Sequence, residues 1–377
     1  MVIAFNGRFL INDKLEGIGY FTREVIRELT QKYPDNIYCI IYDRPFKKPE
    51  IEGANIKHIV LSPPARHPLL WKFWFDLKIP SLLKKIKADV FVSMDGFASL
   101  TTKVPQCIVV HDLGYLHYPQ GYFKSHLFFY NRYTPKFLSK AASIVTVSQF
   151  SKADILNNYS ISPEKINVVY CAANNIFKPL PFEDKIAIKQ QYTQSKEYFI
   201  YAGSIHPRKN LINLLKAFSI FKKRQRSNWK LVLAGRYGWK NDEFHNLLSS
   251  YKYKEDVVVT GYIAEEQMAK LIAASYALVY PSHFEGFGIP VLEAMQSEVP
   301  VLTSENSSMQ EIAEDAALFF DPVDIADIAD KMMLIYKDEN LRQKLIEKGK
   351  LIASKYSWSR TADLLWESIE KAAATRL

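Results

Sequence analysis

The 377-residue chain reads as an α/β protein built from two doubly wound domains, and three observations predict it. Apolar, strand-like runs alternate with segments whose apolar residues recur at helical spacing. A polar, proline-containing stretch, residues 174–183, interrupts the alternation, which then begins again. Several strand-like runs end on glycine or histidine, at the carboxyl ends where open parallel sheets receive ligands. A composition of 48% hydrophobic and 24% charged residues is that of a soluble globular chain.

In order, Val2-Ile3-Ala4-Phe5 and Ile37-Tyr38-Cys39-Ile40-Ile41-Tyr42 are predicted strands, and Phe21, Val25, Ile26 and Leu29 between them mark a helix. Gly17-Ile18-Gly19 lies in that first strand-to-helix connection. The third glycine of a dinucleotide fingerprint would fall at Thr22, so the fingerprint is incomplete. Met1 runs straight into the first strand without a basic and apolar leader, and no run reaches the length of a membrane span, so the expected location is cytoplasmic.

Leu69 to Lys78, continuing to Lys87, interleaves aromatic rings with lysines. Two readings fit: a core helix with a solvated basic side, or a face lying peripherally on an anionic membrane. A basic aromatic surface for nucleic acid is excluded from the expectation, because no recognition motif accompanies it. Charge favours the first half as the place for an anionic partner. Residues 1–180 carry 23 Lys+Arg against 14 Asp+Glu, whereas residues 181–377 carry 26 of each, so the whole net charge of +9 lies in the first half.

Residues 89–93 and 107–110 are further strands, the second ending in His111-Asp112 at a carboxyl end where ligands bind, read either as a histidine satisfied at a strand end or as a ligand-facing ring, able to donate, that Asp112 could orient. Residues 144–148 and 166–170 complete the first set, with Ser148 read as structural or as a weak acceptor-side contact. Cys39, Cys107 and Cys171 stand in apolar contexts without a paired spacing, which excludes a disulfide framework or a zinc site and makes them packing residues.

The second half opens with the strand Tyr198–Ala202, the turn at Gly203, and Arg208-Lys209 at the start of a helix through Leu214, Leu215 and Phe218. Adjacent cations at a helix start are unfavourable unless an anion joins them, and a fork plus a point charge suits a diphosphate. Strands 229–235 and 257–263 follow. Strand 277–280 then leads into Pro281-Ser282-His283-Phe284-Glu285-Gly286-Phe287-Gly288-Ile289-Pro290, ahead of a helix bearing Glu293. Glycines there let backbone approach a ligand, and the helix start directs N–H groups at an anion. Glu285 and Glu293 flank that turn, read either as an ordinary loop residue and a first-turn acid that favours the helix dipole, or as acceptors from hydroxyls, since carboxylates repel phosphate; hydroxyls on both sides of a phosphate describe a nucleotide sugar. Strands 300–303 and 317–320 and a helix from about Thr361 to Ala374 finish the chain. Asp324, Asp327 and Asp330, every third residue, are a solvated helix face rather than a metal site.

Glu285 and Glu293, seven residues apart around Gly-Phe-Gly-Ile-Pro and preceded by Pro-Ser, resemble the E-x7-E motif of the retaining GT-B glycosyltransferases of family 4, and the resemblance covers nearly the whole chain. It implies two Rossmann-like domains facing a central cleft: an acceptor-binding domain at 1–175, a donor domain at 176–358, and a helix at 359–377 crossing back to the first. It implies donor contacts at Gly17, Gly19, Gly203, Tyr262, Ile263, Gly286, Phe287, Gly288, Ile289 and Glu293, with His111, Arg208, Lys209 and Glu285 catalytic and neither metal nor cofactor required. The chain departs from the family pattern at Ser204, where an arginine is usual, and at Cys171-Ala172-Ala173, where Asn-Gly is usual; Arg208 is read as supplying the missing charge.

The expected activity is transfer of a hexose, GDP-mannose before a UDP-hexose, to a glycan or lipid-linked acceptor in cell-surface polysaccharide synthesis. The mannosyltransferase-like reading draws on Pro207-Arg208-Lys209-Asn210 and Ser307-Ser308-Met309-Gln310-Glu311. The alternatives are a nucleotide-sugar epimerase or hydrolase of the same fold, and a non-catalytic nucleotide-sugar-binding subunit.

Overall fold

The computed structural model describes residues 1–10, 15, 17–238 and 242–376, and within them the chain divides into two compact units: Met1–Cys171 with Ser357–Leu377, and Ala172–Tyr356. Each is an α/β unit around one parallel sheet.

In the first unit the strands are β1 (Val2–Asn6), β2 (Ile37–Tyr42), β3 (Ile56–Val60), β4 (Val90–Ser93), β5 (Gln106–Val110), β6 (Ser143–Thr146) and β7 (Ile166–Val168), in the order β3-β2-β1-β4-β5-β6-β7. The central strands are buried on both faces, which explains their unbroken apolar runs. β3 was not among the predicted strands. It is a half-exposed edge strand whose Ile56-Lys57-His58-Ile59-Val60 mixes both residue types.

Helix Trp358–Ala373 belongs to this unit, where it packs on helix Gly17–Lys32. Tyr33 stacks on Trp366 at 4.0 Å, Lys32 pairs with Asp363 at 2.7 Å, and the Thr361 hydroxyl donates to the Tyr170 carbonyl at 2.7 Å. The aromatic-lysine segment forms helix Pro68–Phe73, a π-helical turn Trp74–Lys78 and helix Ile79–Lys85. Its inward side, Trp71, Trp74, Phe75, Ile79 and Leu83, enters the core together with Asp76, which accepts from the Leu100 amide at 2.6 Å.

The second unit carries β8 (Tyr198–Ala202), β9 (Lys230–Ala234), β10 (Val257–Gly261), β11 (Ala277–Tyr280), β12 (Val301–Ser304) and β13 (Ala317–Phe320), ordered β10-β9-β8-β11-β12-β13. At its carboxyl edge the chain after β9 crowds the chain after β8. A Cβ on Gly235, at φ +147°, would stand 2.0 Å from the Gly203 carbonyl oxygen, so no larger residue fits. The expected linker is fastened within this unit, its Asn174 and Phe177 carbonyls each accepting from the Gln296 amide at 2.8 Å. Asp324 caps helix Ile325–Lys337, Asp327 accepts from the Asp321 amide, and Asp330 pairs with Arg224. All three cysteines are buried thiols. Among the described residues no helix is long and apolar enough to cross a membrane.

Candidate functional site

The order β8-β11 makes two loops neighbours at the carboxyl edge of the second sheet, and the predicted charges meet there. After β8, residues Pro207–Lys209 form a single 3-10 turn; after β11, residues 281–288 run to helix Ile289–Gln296. Lys209 Nζ donates to the Tyr280 hydroxyl at 2.9 Å and forms a close ion pair with Glu285 Oε1, and Tyr280 donates to that same oxygen at 3.2 Å. Arg208 Nη1 donates to the Phe284 carbonyl at 3.0 Å, while the Arg208 carbonyl accepts from the His283 amide at 2.9 Å. Backbone and side chain thus lace the two loops together.

Burial alone would raise the Glu285 carboxyl, but Lys209 and then Arg208 outweigh it and hold the group at about 2, so it is charged. Glu293, half-buried in the following helix, behaves oppositely: burial, and then the like charge of Glu265, push it up to about 8. The two acids expected to accept from hydroxyls on either side of the turn thus differ in proton affinity. Near pH 7 Glu293 holds a proton and can donate as well as accept.

The turn between them is shaped by residues beyond it. Gly288 is the N-cap at φ +101°, and a Cβ there would meet Met309 Cε at 2.5 Å. Pro290 has no N–H and the Val291 N–H is taken by the Gly288 carbonyl at 2.9 Å, so amides for an anion must come from before Pro290. Ser307 Oγ accepts from the Glu285 amide at 3.1 Å, and Ser308 Oγ lies 3.0 Å from the carbonyls of both Glu285 and Phe287. Ser304 and Asn306 hold the Ser282 and His283 carbonyls at 2.7 and 2.9 Å. None of these four was assigned to the site from sequence; their signal is a polar run from the end of β12, of which Ser307 and Ser308 entered only through the mannosyltransferase-like pattern. The Phe287 ring is buried edge-on to Tyr356 at 5.9 Å, so it packs within this unit. Gly286 is buried and Ile289 half-buried in the same turn. Gly203 donates to the Ala234 carbonyl at 2.9 Å, and Tyr262 and Ile263 follow β10 in exposed and half-buried positions.

The remaining predicted residues lie in the first unit. His111 follows β5, and its Nε2 is 2.9 Å from the Met94 carbonyl. A carbonyl only accepts, so Nε2 carries the proton and Nδ1 the lone pair. Burial lowers the imidazole's pKa and keeps it neutral, with the Phe21 ring edge-on at 5.2 Å. Met94, not Asp112, orients this ring; Asp112 accepts from the Gly114 amide at 2.8 Å. The ring therefore presents an acceptor where a donor was expected. Gly17 and Gly19 form the first turn of a helix instead of a free loop. Gly19 sits under the Phe9 carbonyl, where a Cβ would come within 2.7 Å, and Gly17 faces open space. Residues 11–14 and 16 of that connection lie outside the described residues. Ser148 caps helix Gln149–Asn158, as its structural reading implies. Arg8, which sequence reasoning passed over, is a buried guanidinium on Asp95, with a further bond to the Ala65 carbonyl at 3.1 Å.

Comparison with known proteins decides the family. The profile for glycosyl transferases group 1 matches residues 183–352, and that for Glycosyltransferase Family 4 matches residues 15–174. The chain belongs to glycosyltransferase family 4. It is 30% identical over 249 residues to the O-antigen chain mannosyltransferase B of Escherichia coli, an alignment covering 66% of this chain and 65% of that one. Against the O-antigen chain mannosyltransferase RfbU of Salmonella typhimurium it is 30% identical over 265 residues, 68% of each. In fold, sucrose-phosphate synthase from Thermosynechococcus elongatus superposes with a TM-score of 0.81 at 18% identity, over 99% of both chains. WaaG, a glycosyltransferase involved in lipopolysaccharide biosynthesis, superposes at 0.78 and 16% identity, over 98% of this chain and 99% of that one. The two Rossmann-like units are those of the GT-B fold.

Proposed function

We propose that this family 4 member transfers a hexosyl group from a nucleoside-diphosphate sugar with retention of configuration, mannose from GDP-mannose being the first choice and a UDP-hexose the second. The observation that carries the reading is the Lys209–Tyr280–Glu285 cluster beside Arg208. Each partner of its ion pair complements one half of such a donor. The ammonium suits the diphosphate and the carboxylate suits sugar hydroxyls, so an arriving donor exchanges one internal bond for two external ones.

In the proposed reaction the bond from the anomeric carbon to the β-phosphate oxygen breaks, and one to the acceptor oxygen forms on the same face. The leaving phosphate takes the acceptor proton. Negative charge growing on that phosphate is met by Lys209, Arg208 and the amides of the Gly286–Ile289 turn, a role for which fixed dipoles and cations need no metal. Glu293 holds the ribose hydroxyls, the segment at Tyr262-Ile263 the base, the Gly203 backbone and the helix start at Gly17–Gly19 the diphosphate, and His111 Nδ1 accepts from a sugar hydroxyl. The acceptor is a glycan or lipid-linked glycan of cell-surface polysaccharide synthesis, a reading supported by the names of the Escherichia coli and Salmonella relatives.

The test is nucleotide release from GDP-mannose with and without a mannoside acceptor, with the anomeric configuration of the product read by NMR. Acceptor-dependent release with retained configuration is expected. Release without acceptor would instead make the chain a hydrolase, binding without release a non-catalytic subunit, and an inverted product would remove the same-face step.

A further inference from the structure

The aromatic-lysine segment is divided by the structure into an inward side that the core absorbs and an outward side that the donor site does not use. On the outward side Leu69, Phe73 and Leu77 recur every fourth residue, along helix Pro68–Phe73 and the π-helical turn that continues it. Their exposures are 76%, 39% and 61%, and Leu70 beside them is 37% exposed. Large apolar side chains at that spacing form one stripe, which is the arrangement a core-facing helix turns inward. Here a second stripe, Trp71, Trp74 and Phe75, already fills the core, so burial in this unit does not account for the first.

The charges around the stripe are of one sign. Pro68–Lys85 and the neighbouring helix Lys124–Lys140 hold eight cationic side chains and one acid, and that acid, Asp76, is buried against Lys72 and the Leu100 amide. The two helices bring their cations together: Lys72 Nζ and Lys136 Nζ stand 5.2 and 5.5 Å from the same Tyr133 ring. Lys78 Nζ lies 5.7 Å from the Phe73 ring, beside the stripe itself. Phe123, at the start of the second helix, is 51% exposed and reaches Trp71 through His126.

We propose that this face docks on an anionic lipid surface, with Leu69, Phe73 and Leu77 entering the interface and Lys78, Lys136 and Lys124 meeting lipid phosphates. A protein partner would also cover apolar area, but a stripe whose own segment and neighbouring helix carry flexible cations complements a plane of diffuse negative charge, where each side chain finds a phosphate without a fixed register. The inference stands apart from the glycosyl-transfer reading, since none of these residues belongs to the donor site.

Co-sedimentation of the full-length protein with vesicles tests it. Wild type is expected to pellet with phosphatidylglycerol-containing vesicles, to partition roughly tenfold less onto pure phosphatidylcholine, and to be released by salt. The exposed double variant Leu69→Ser/Leu77→Ser should lower binding to anionic vesicles by about tenfold, and Lys78→Glu by a smaller factor, with thermal unfolding and the GDP-induced thermal shift unchanged. Equal partitioning of the double variant and wild type would overturn the proposal, as would failure of wild type to bind anionic vesicles. So would a light-scattering mass of a dimer that the double variant reduces to a monomer, since the occupant would then be a second copy.

Discussion

Each unit buries a cation against a carboxylate at the carboxyl edge of its sheet, and the two pairs are built differently. In the first unit the Arg8 guanidinium is filled from several directions by Asp95, the Ala65 carbonyl and the rings of Phe9, Trp71, Phe75 and Phe97, all four within 6 Å. Asp95 in turn accepts from Ser93, which accepts from Asn6. That pair ties strand ends together. In the second unit Lys209 and Glu285 come from two loops and share a tyrosine hydroxyl, and the helix that follows Glu285 carries a second glutamate whose proton affinity is shifted the other way. Buried charge is common to both pairs; what singles out the second as the candidate site is that two acids of like type near it are driven in opposite directions.

Substitutions that separate holding from binding sharpen this contrast. The largest effect is expected at Asp95→Asn, which leaves a buried guanidinium without its anion; loss of about 3–5 kcal/mol should appear in denaturant unfolding, while any folded fraction still shows a GDP-induced thermal shift. Lys209→Met should lower turnover by a factor on the order of 100. Adding Glu285→Gln to it should recover stability without recovering turnover, and a double-mutant cycle on unfolding free energy measures the coupling.

The two glutamates also predict opposite pH limbs. Glu285 in the fold lies at about 2, below its ordinary 4.5, so its stabilisation is present above 4.5 and fades as pH falls toward 2. Glu293 lies at about 8, above the same ordinary value, so its contribution is full below 4.5 and is lost as pH rises through 8. Glu285→Gln should flatten the acid limb of melting temperature against pH, and Glu293→Gln the alkaline limb; an unchanged alkaline limb in Glu293→Gln would break the contrast. The smallest effect is expected at Ser308→Ala, which removes the hydroxyl between the Glu285 and Phe287 carbonyls and should cost about 1 kcal/mol in unfolding.

Much of this was legible in the chain. Unbroken apolar runs marked the sheet strands except β3, whose half-exposed edge position interrupts the run. Glycines and acids at fixed spacing marked the turn at Glu285 and Glu293, and the cations at Arg208 and Lys209 lay beside it once β8 and β11 paired. What stayed hidden depends on atoms that carry no sequence signature. The Met94 carbonyl selects the His111 tautomer, and a backbone oxygen looks alike in every residue. Arg8 looks like an ordinary loop cation until three distant rings, Trp71, Phe75 and Phe97, and Asp95 close around it. Ser307 and Ser308 act on a loop some twenty residues earlier in the chain. The outward stripe at Leu69, Phe73 and Leu77 could not be told from the core stripe, because both recur at helical spacing in the same segment.

The most direct test of the central claim is calorimetric titration of GDP, and separately UDP, into wild type and Lys209→Met. If Lys209 leaves Glu285 to hold a diphosphate, wild type binds at least one of the two and the variant binds it at least about tenfold more weakly, with the loss carried by the diphosphate and absent for the nucleoside. Equal affinity of wild type and variant for the diphosphate would contradict the account.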